Sequence, residues 1–568
     1  MNDNTDNKEV ESTEVQTTNE QVPAVAGGQA GFSVKRKISL STEYEAGHIP
    51  DNKRKGFLVM FVLMVTFTLF SASMWAGNTL GGGLQLSDFI WAIVIGGLIL
   101  MTYTSLLAYI GSKTGFSMDL LARRSFGKFG SFLPSVMIGF TQIGWVGVGI
   151  GMLAIPVANY LDINHWWLII GGGALMTATA FFGIRGLQVL SFISMPLIVI
   201  LGSISMGMAL NDFDGPFRNI FGGGEQITVM AGIGIVIGTF ISGGTATPNF
   251  ARFAKSARIA VICTAAAFFL GNTLMFMFGA VGGGVMGPDY NDIFNVMIAQ
   301  NLALVAIVVL GLNIWTTNDS GLYSASLGMH NIANTTKDEL YESGAIKQTQ
   351  VVKQNVKPQE TEEKGFTLLS KRNMVLVGGI IATLAAYWLY WNFVTWLGFL
   401  SATLPPIGII LILDYFIRKR NYAKDTNPTR TINHFAIAGV VVAALIANIP
   451  TIFEVEPFGI APVNAMVVAA LFYFIGLFVN FRVNNLKADG QAAEIGRTIV
   501  ASVMLLAGAI FVAAFLVGFV IIHGFTSNIT LVVTHIALII GAIFICAAGT
   551  LFQGKEKDPL AQQEVLDK

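Results

Sequence analysis

Between Gly311 and Asp319 the chain reads Gly-Leu-Asn-Ile-Trp-Thr-Thr-Asn-Asp, directly after the apolar Val308-Val309-Leu310. Asn313, Thr316, Thr317, Asn318 and Asp319 thus fall within seven positions. If this stretch spans a membrane, no bulk water meets these groups. Polar side chains at that depth are costly, turn toward a cavity or one another, and mark a transport path. On a helix Asn313, Thr316 and Thr317 share a face. Two hydroxyls with neighbouring carbonyl oxygens suit a small hard cation. No carboxylate belongs to the trio, which favours a weakly held monovalent ion over a divalent one. The competing reading has the Thr hydroxyls donating back to carbonyls of the preceding turn. Asn318 brings donors and an acceptor, and Asp319 a charge-assisted acceptor. Together they suit the hydrogen-bonding edge of a planar heterocycle, or a polar clamp between two helices.

A second constellation is Thr141-Gln142-Ile143-Gly144-Trp145. Gln142 and Trp145 are three apart and share a helical face. An aromatic platform beside a bidentate amide holds a nucleobase by stacking and edge contacts. Tryptophan in a membrane helix otherwise anchors an interface, but Trp145 sits mid-helix. Two segments supply facing groups. Leu69-Phe-Ser-Ala-Ser-Met-Trp75 precedes Gly81-Gly-Gly83, and Gly238-Thr-Phe-Ile-Ser-Gly-Gly-Thr245 precedes Pro248. Ser and Gly hold a helix interior poorly, and a membrane helix breaks only where the freed backbone lines a cavity or is buried in protein. Phe240 offers a second aromatic face and Phe70 a lid. The alternative for both segments is close helix packing through small residues.

The elements that position these groups follow from composition. The chain has 568 residues, 53% hydrophobic and 12% charged, against roughly 25% charged in soluble domains. Apolar runs near 20 residues recur, the length that crosses the hydrocarbon core. The pattern predicts an all-α polytopic membrane protein of about fourteen transmembrane helices. They lie near 57–77, 86–111, 129–160, 165–183, 186–209, 227–250, 257–284, 292–325, 373–391, 392–417, 433–450, 460–480, 496–522 and 527–552. Positive clusters alternate along these segments: Lys53-Arg54-Lys55, then Lys113 to Lys128, Arg185, Arg252 to Arg258, the long loop 330–370, Arg418 to Arg430, and Arg482 to Arg497. Of 34 Lys and Arg, only Arg218 falls on the opposite side. The positive-inside rule then puts both termini in the cytoplasm. Residues 1–55 read as a disordered cytoplasmic tail, 56–417 as a ten-helix core containing that loop, 433–480 as helices 11 and 12, 496–552 as two further helices, and 553–568 as a second tail. Helices 1 and 6 each open a group of five. The second group enters from the opposite side, so matching interruptions there point to a midplane site in an inverted repeat. Zero net charge gives no case for nucleic acid. Two cysteines, Cys263 and Cys546, give neither a disulfide framework nor a thiolate metal site. No Walker loop or metal-protease spacing occurs. Asp414 with Arg418 reads as an interface ion pair.

These residues carry a resemblance. The runs Phe70-Ser-Ala-Ser-Met-Trp75, Lys113-Thr-Gly115, Leu120-Leu-Ala-Arg123, Gly144-Trp145, Phe240-Ile-Ser242, Phe268-Phe-Leu-Gly-Asn272, Val296 to Gln300, Ala306 to Asp319, Leu404-Pro-Pro406 and Pro462-Val-Asn-Ala465 resemble the nucleobase:cation symporter-1 family, in order, over about 52–480. The resemblance implies a five-plus-five inverted-repeat core of the leucine-transporter type with helices 1 and 6 interrupted. It implies uptake of a nucleobase, cytosine, with sodium, by alternating access in the bacterial plasma membrane, with no cofactor beyond the coupling ion. The base would stack between Trp145 and Phe240 near Phe70, with Gln142, Ser242, Asn318 and Asp319 along its polar edge. Sodium would take the carbonyls of Thr66, Leu69 and Asn313 and the hydroxyls of Thr316 and Thr317. The long tail, the long loop near 335–365 and helices 13 and 14 depart from the family. Rival readings are another ring (hydroxymethylpyrimidine, a purine or a hydantoin-like compound), proton coupling, and a non-transporting membrane sensor.

Overall fold

The computed structural model describes residues 49, 51–182, 185–287, 290, 292–342, 371–418, 431–453, 459–485, 539–540, 542–543 and 545–546. Most of the expected N-terminal tail, the loop beyond Glu342, nearly all of helices 13 and 14, and the tail 553–568 lie outside the described residues. The regular structure is helical, with one isolated bridge between Lys55 and Ala254. In chain order the helices are α1 (Phe57–Thr68), α2 (Ser71–Gly83), α3 (Leu86–Thr114), α4 (Met118–Phe126), α5 (Phe132–Leu161), α6 (His165–Phe182), α7 (Arg185–Asn211), α8 (Val229–Thr245), α9 (Pro248–Ala251) and α10 (Ala257–Ala265). They continue as α11 (Asn272–Met286), α12 (Ile293–Ala299), α13 (Ala303–Glu342), α14 (Lys371–Trp391), α15 (Phe393–Thr403), α16 (Pro405–Ile417), α17 (His434–Phe453) and α18 (Ala461–Asn485). Among the described residues eight spans are long and apolar enough to cross a membrane, and α1 with α2 makes a ninth if taken together. Helices suit this sequence because a lipid-facing backbone has only itself to bond with.

Several expected boundaries move, each for a local reason. The segment 292–325 is two helices. Asp292 caps α12 by accepting from Phe294 N at 2.7 Å, and Asn301 then takes a left-handed φ of 60° before α13. Asparagine tolerates that region. Helix α13 also runs to Glu342, into the expected loop. The loop between helices 2 and 3 holds α4, an amphipathic helix capped by Ser117. The segment 392–417 divides at Leu404 into α15 and α16, since Pro405 and Pro406 supply no N–H to continue the ladder. The segment 257–284 is continuous, but six residues, Ala266–Gly271, form a π turn.

Helix α5 is deeply embedded, with 20 of its 30 residues buried. Its glycines let partners close in. A Cβ on Gly149 would stand 2.6 Å from Asn318 Oδ1. Helix α13 packs along one side of α5 and α14 along another, while α2 lies against α11. The polar run of α13 is thereby held against the Gln142–Trp145 turn of α5.

Candidate functional site

The expected break in helix 1 is present. Helix α1 stops at Thr68, α2 starts at Ser71, and the axis turns by 50° between them. Phe70 is extended, with φ −118° and ψ 134°. Its N–H turns to Thr68 O at 3.0 Å, which takes from the Thr66 carbonyl the helical partner four residues on. Asn313 of α13 fills the gap. Its Nδ2 donates to Leu69 O at 2.5 Å and its Oδ1 accepts from Ser71 N at 3.3 Å. The hydroxyls of Thr316 and Thr317 donate to the Asn313 carbonyl at 3.0 and 2.9 Å. The back-bonded reading therefore holds for their hydrogens, and each oxygen keeps acceptor capacity. Thr66 Oγ1 and Ser71 Oγ are buried, without a hydrogen-bond partner among the described residues. The break and one turn of α13 thus gather carbonyl and hydroxyl oxygens, the donor set for a hard monovalent cation.

The second expected break sits later than the sequence suggests. Helix α8 runs through Gly243 and Gly244 to Thr245, and only Ala246 and Thr247 separate it from α9. The glycines serve packing here: a Cβ on Gly243 would stand 2.5 Å from Phe67 Cζ, and one on Gly244 2.8 Å from Thr104 Cγ2.

A small cavity opens between the α1–α2 break, α5, α8 and α13. Phe70, Gln142, Trp145, Phe240, Asn318 and Thr317 line it, with Phe67, Val146, Thr239, Gly243 and Gly321. Its volume is about 20 Å³, room for about one water. A six-membered ring enters only if side chains part. Trp145 meets Phe70 edge-on, with centroids 5.9 Å apart, and Phe240 meets Phe67 edge-on at 5.8 Å. Trp145 and Phe240 both border the cavity without stacking on each other. Gln142 Nε2 donates to Ser242 Oγ at 2.8 Å. Asn318 Nδ2 donates to Val146 O and lies 3.2 Å from Met176 Sδ.

Five of the seven expected base contacts therefore line one cavity, and two do not. Ser242 stands behind Gln142. Asp319 turns toward α6, where its Oδ1 accepts from Thr179 Oγ1 at 3.3 Å. Consecutive helical residues point about 100° apart, so Asn318 and Asp319 cannot share a face. Thr317 belongs both to the oxygen-rich turn and to the cavity wall, a double placement the sequence reading missed. Gly321, one turn beyond Thr317, was legible as the same face. Asp414 is a structural clamp: it accepts from Tyr473 Oη at 2.9 Å and from Ser125 Oγ at 3.2 Å, with Arg418 at 3.9 Å.

Comparison with known proteins bears on family and fold. Residues 48–340 match the family model described as permease for cytosine/purines, uracil, thiamine, allantoin. The cytosine permease of Escherichia coli K12 is 43% identical over 443 residues, 77% of this chain and 95% of that protein. The fold resembles Mhp1, a nucleobase-cation-symport-1 family transporter solved closed with bromovinylhydantoin, at TM-score 0.59 and 17% identity over 76% of this chain and 94% of that one. A Na⁺-coupled sialic acid symporter in a substrate-bound outward-open state gives TM-score 0.55 and 14% identity over 75% and 90%. At these identities the likeness is one of fold, the five-plus-five inverted-repeat transporter architecture. By both family match and identity to a curated relative, the chain belongs to the nucleobase:cation symporter-1 family of permeases for cytosine/purines, uracil, thiamine and allantoin.

Proposed function

We propose that the protein is a secondary active transporter that imports cytosine with sodium, by alternating access, across the bacterial plasma membrane. The observation that carries this reading is the cavity itself: Trp145 and Phe240 on two helices line it, and Gln142 and Asn318 share its wall. Aromatic faces hold a base of any sequence-tolerant kind, and amides select among them. Phe70 lies at the break and closes over the ring. Sodium, as co-substrate, would be held by the carbonyls of Thr66, Leu69 and Asn313 and the hydroxyls of Thr316 and Thr317. Because Thr317 also lines the cavity, ion and base share one wall. An ion can shift the conformational population only by binding one state better than the other. Ordering the α1–α2 break against α13 is the difference available to it. Both termini would be cytoplasmic.

The test is uptake of labelled cytosine into proteoliposomes under an inward sodium gradient. Accumulation that collapses when the gradient is removed supports the proposal. Uptake that ignores sodium and collapses with an uncoupler replaces sodium with protons. Trp145→Ala is expected to weaken cytosine binding about 10- to 100-fold, the stacking contribution of one aromatic, with the sodium requirement intact. Thr317→Ala is expected to raise the sodium concentration needed for half-maximal uptake. Equal effects of both variants on both ligands would remove the division between the two sites.

A further inference from the structure

Thr141 stands one residue before Gln142 on α5, is 2% exposed, and lies outside the cavity wall. Its hydroxyl is 2.7 Å from Ser242 Oγ on α8. Ser242 Oγ is also 2.8 Å from Gln142 Nε2, and Thr141 Oγ1 donates to Ile138 O at 3.1 Å. A hydroxyl has one hydrogen, so the row has a direction. With its hydrogen on the Ile138 carbonyl, Thr141 accepts from Ser242. With its own hydrogen on Thr141, Ser242 accepts from Gln142. Only the Nε2 end of the amide supplies that donor. Turning the amide over would place Oε1 on Ser242, and the row would lose its terminal bond to Ile138. Amide orientation is read from such networks rather than from shape.

The other end of Gln142 has no such partner. Among the described residues its Oε1 has no hydrogen-bond partner. It lies toward Gly321 of the cavity wall, 3.6 Å from where a Cβ on that glycine would stand.

We infer that Thr141 is a positioning residue that acts through Ser242 to hold Gln142 with Nε2 withdrawn and Oε1 turned to the ligand, so that this subsite takes a hydrogen-bond donor, the exocyclic amine of an aminopyrimidine. The inference rests on the nucleobase reading of the cavity and deepens it. An unpaired buried acceptor is what lets a site reject an analogue lacking the matching donor.

The probe pair is cytosine and pyrimidin-2(1H)-one, which differ only by the 4-amino group. Dissociation constants for both are measured on the purified full-length protein. The wild type is expected to prefer cytosine by more than about tenfold. Thr141→Val, which deletes the hydroxyl at constant shape, is expected to shrink that ratio about tenfold, near 1.4 kcal/mol. Thr141→Ser is expected to restore it. Ser242→Ala should match Thr141→Val, and the double variant should add nothing further. That arm stands even if Thr141→Val fails to fold. A ratio unchanged in Thr141→Val or Ser242→Ala overturns the inference, as does equal weakening of both ligands. Wild-type protein that binds neither ring overturns the nucleobase reading instead, so the two failures are distinct.

Discussion

At the α1–α2 break the freed backbone groups are met from another helix, whereas at the α8–α9 break they are met from within. Leu69 O and Ser71 N both bond to the one side chain of Asn313, from α13. Across Ala246 and Thr247, by contrast, Ala246 N reaches Ser242 O, Thr247 N reaches Gly244 O, and Ala251 N reaches Thr247 O. The second break is a tight turn whose backbone closes on itself, and side chains tie it to its surroundings, Asn249 Oδ1 accepting from Met118 N at 2.8 Å and Thr245 Oγ1 lying 2.7 Å from Tyr103 Oη. The backbone bonding of the first break therefore depends on the position of α13, whereas that of the second is met within the turn. In a repeat built from two related halves, one interruption has its freed backbone groups wired to a neighbouring helix and the other closes them within its own turn. The wired one is beside the proposed ion oxygens.

The largest expected effect is at the wired break. Asn313→Ala leaves a buried carbonyl and a buried N–H unpaired, each costing about 1–3 kcal/mol. We expect a total loss near 4 kcal/mol, read as thermal stability in detergent, and no sodium-driven uptake. Retained stability would mean the clamp adds little and would erase the contrast.

The intermediate effect lies beside the second break. Asp119 of α4 accepts from Ser135 Oγ at 2.6 Å, its Oδ2 has no hydrogen-bond partner among the described residues, and burial pushes its carboxyl up from 3.8 to about 6, against the opposing pull of the Ser135 hydrogen bond and of Arg252 and Arg123. A raised carboxyl means the folded protein holds a proton that the unfolded chain has released. Stability is therefore fully present below about 4 and declines as pH rises through about 6. The shift corresponds to roughly 3 kcal/mol. Asp119→Asn should flatten the melting profile across that window. An unchanged slope would place the pH sensitivity elsewhere.

The smallest effect sharpens the contrast from the other side. Thr247→Val removes only a long 3.4 Å bond to Gly243 O and should cost about 0.5 kcal/mol, the low end for one hydrogen bond. A cost comparable to Asn313→Ala would show the second break to be as dependent on side chains as the first.

Much of this site was legible in the sequence. The Phe70-Ser-Ala-Ser run reads as a break because those residues hold a helix poorly, and Gln142 with Trp145 reads as a platform from spacing alone. What stayed hidden depends on rotation and on distant partners. Asn318 and Asp319 differ by one residue and hence by a large angle, which no pattern of polarity assigns to a neighbour. Gly243 and Gly244 read equally well as hinge or as packing, and only Phe67 and Thr104 decide between them. Helix α4 escaped notice because a nine-residue amphipathic helix in a basic loop has no apolar run to announce it. Asn301 likewise hid the division between α12 and α13, since a single left-handed residue leaves hydropathy unchanged.

Asn313 hydrogen-bonds to the first break through peptide groups, Leu69 O and Ser71 N. Side chains at positions 66 and 69 can drift without being felt by the clamp, while position 313 has no such freedom. A joint written in main-chain atoms leaves a faint trace in any comparison of side chains. Distant members of such a family could keep this hinge intact while appearing to have lost it, and the place to look for it is the amide on the opposite helix.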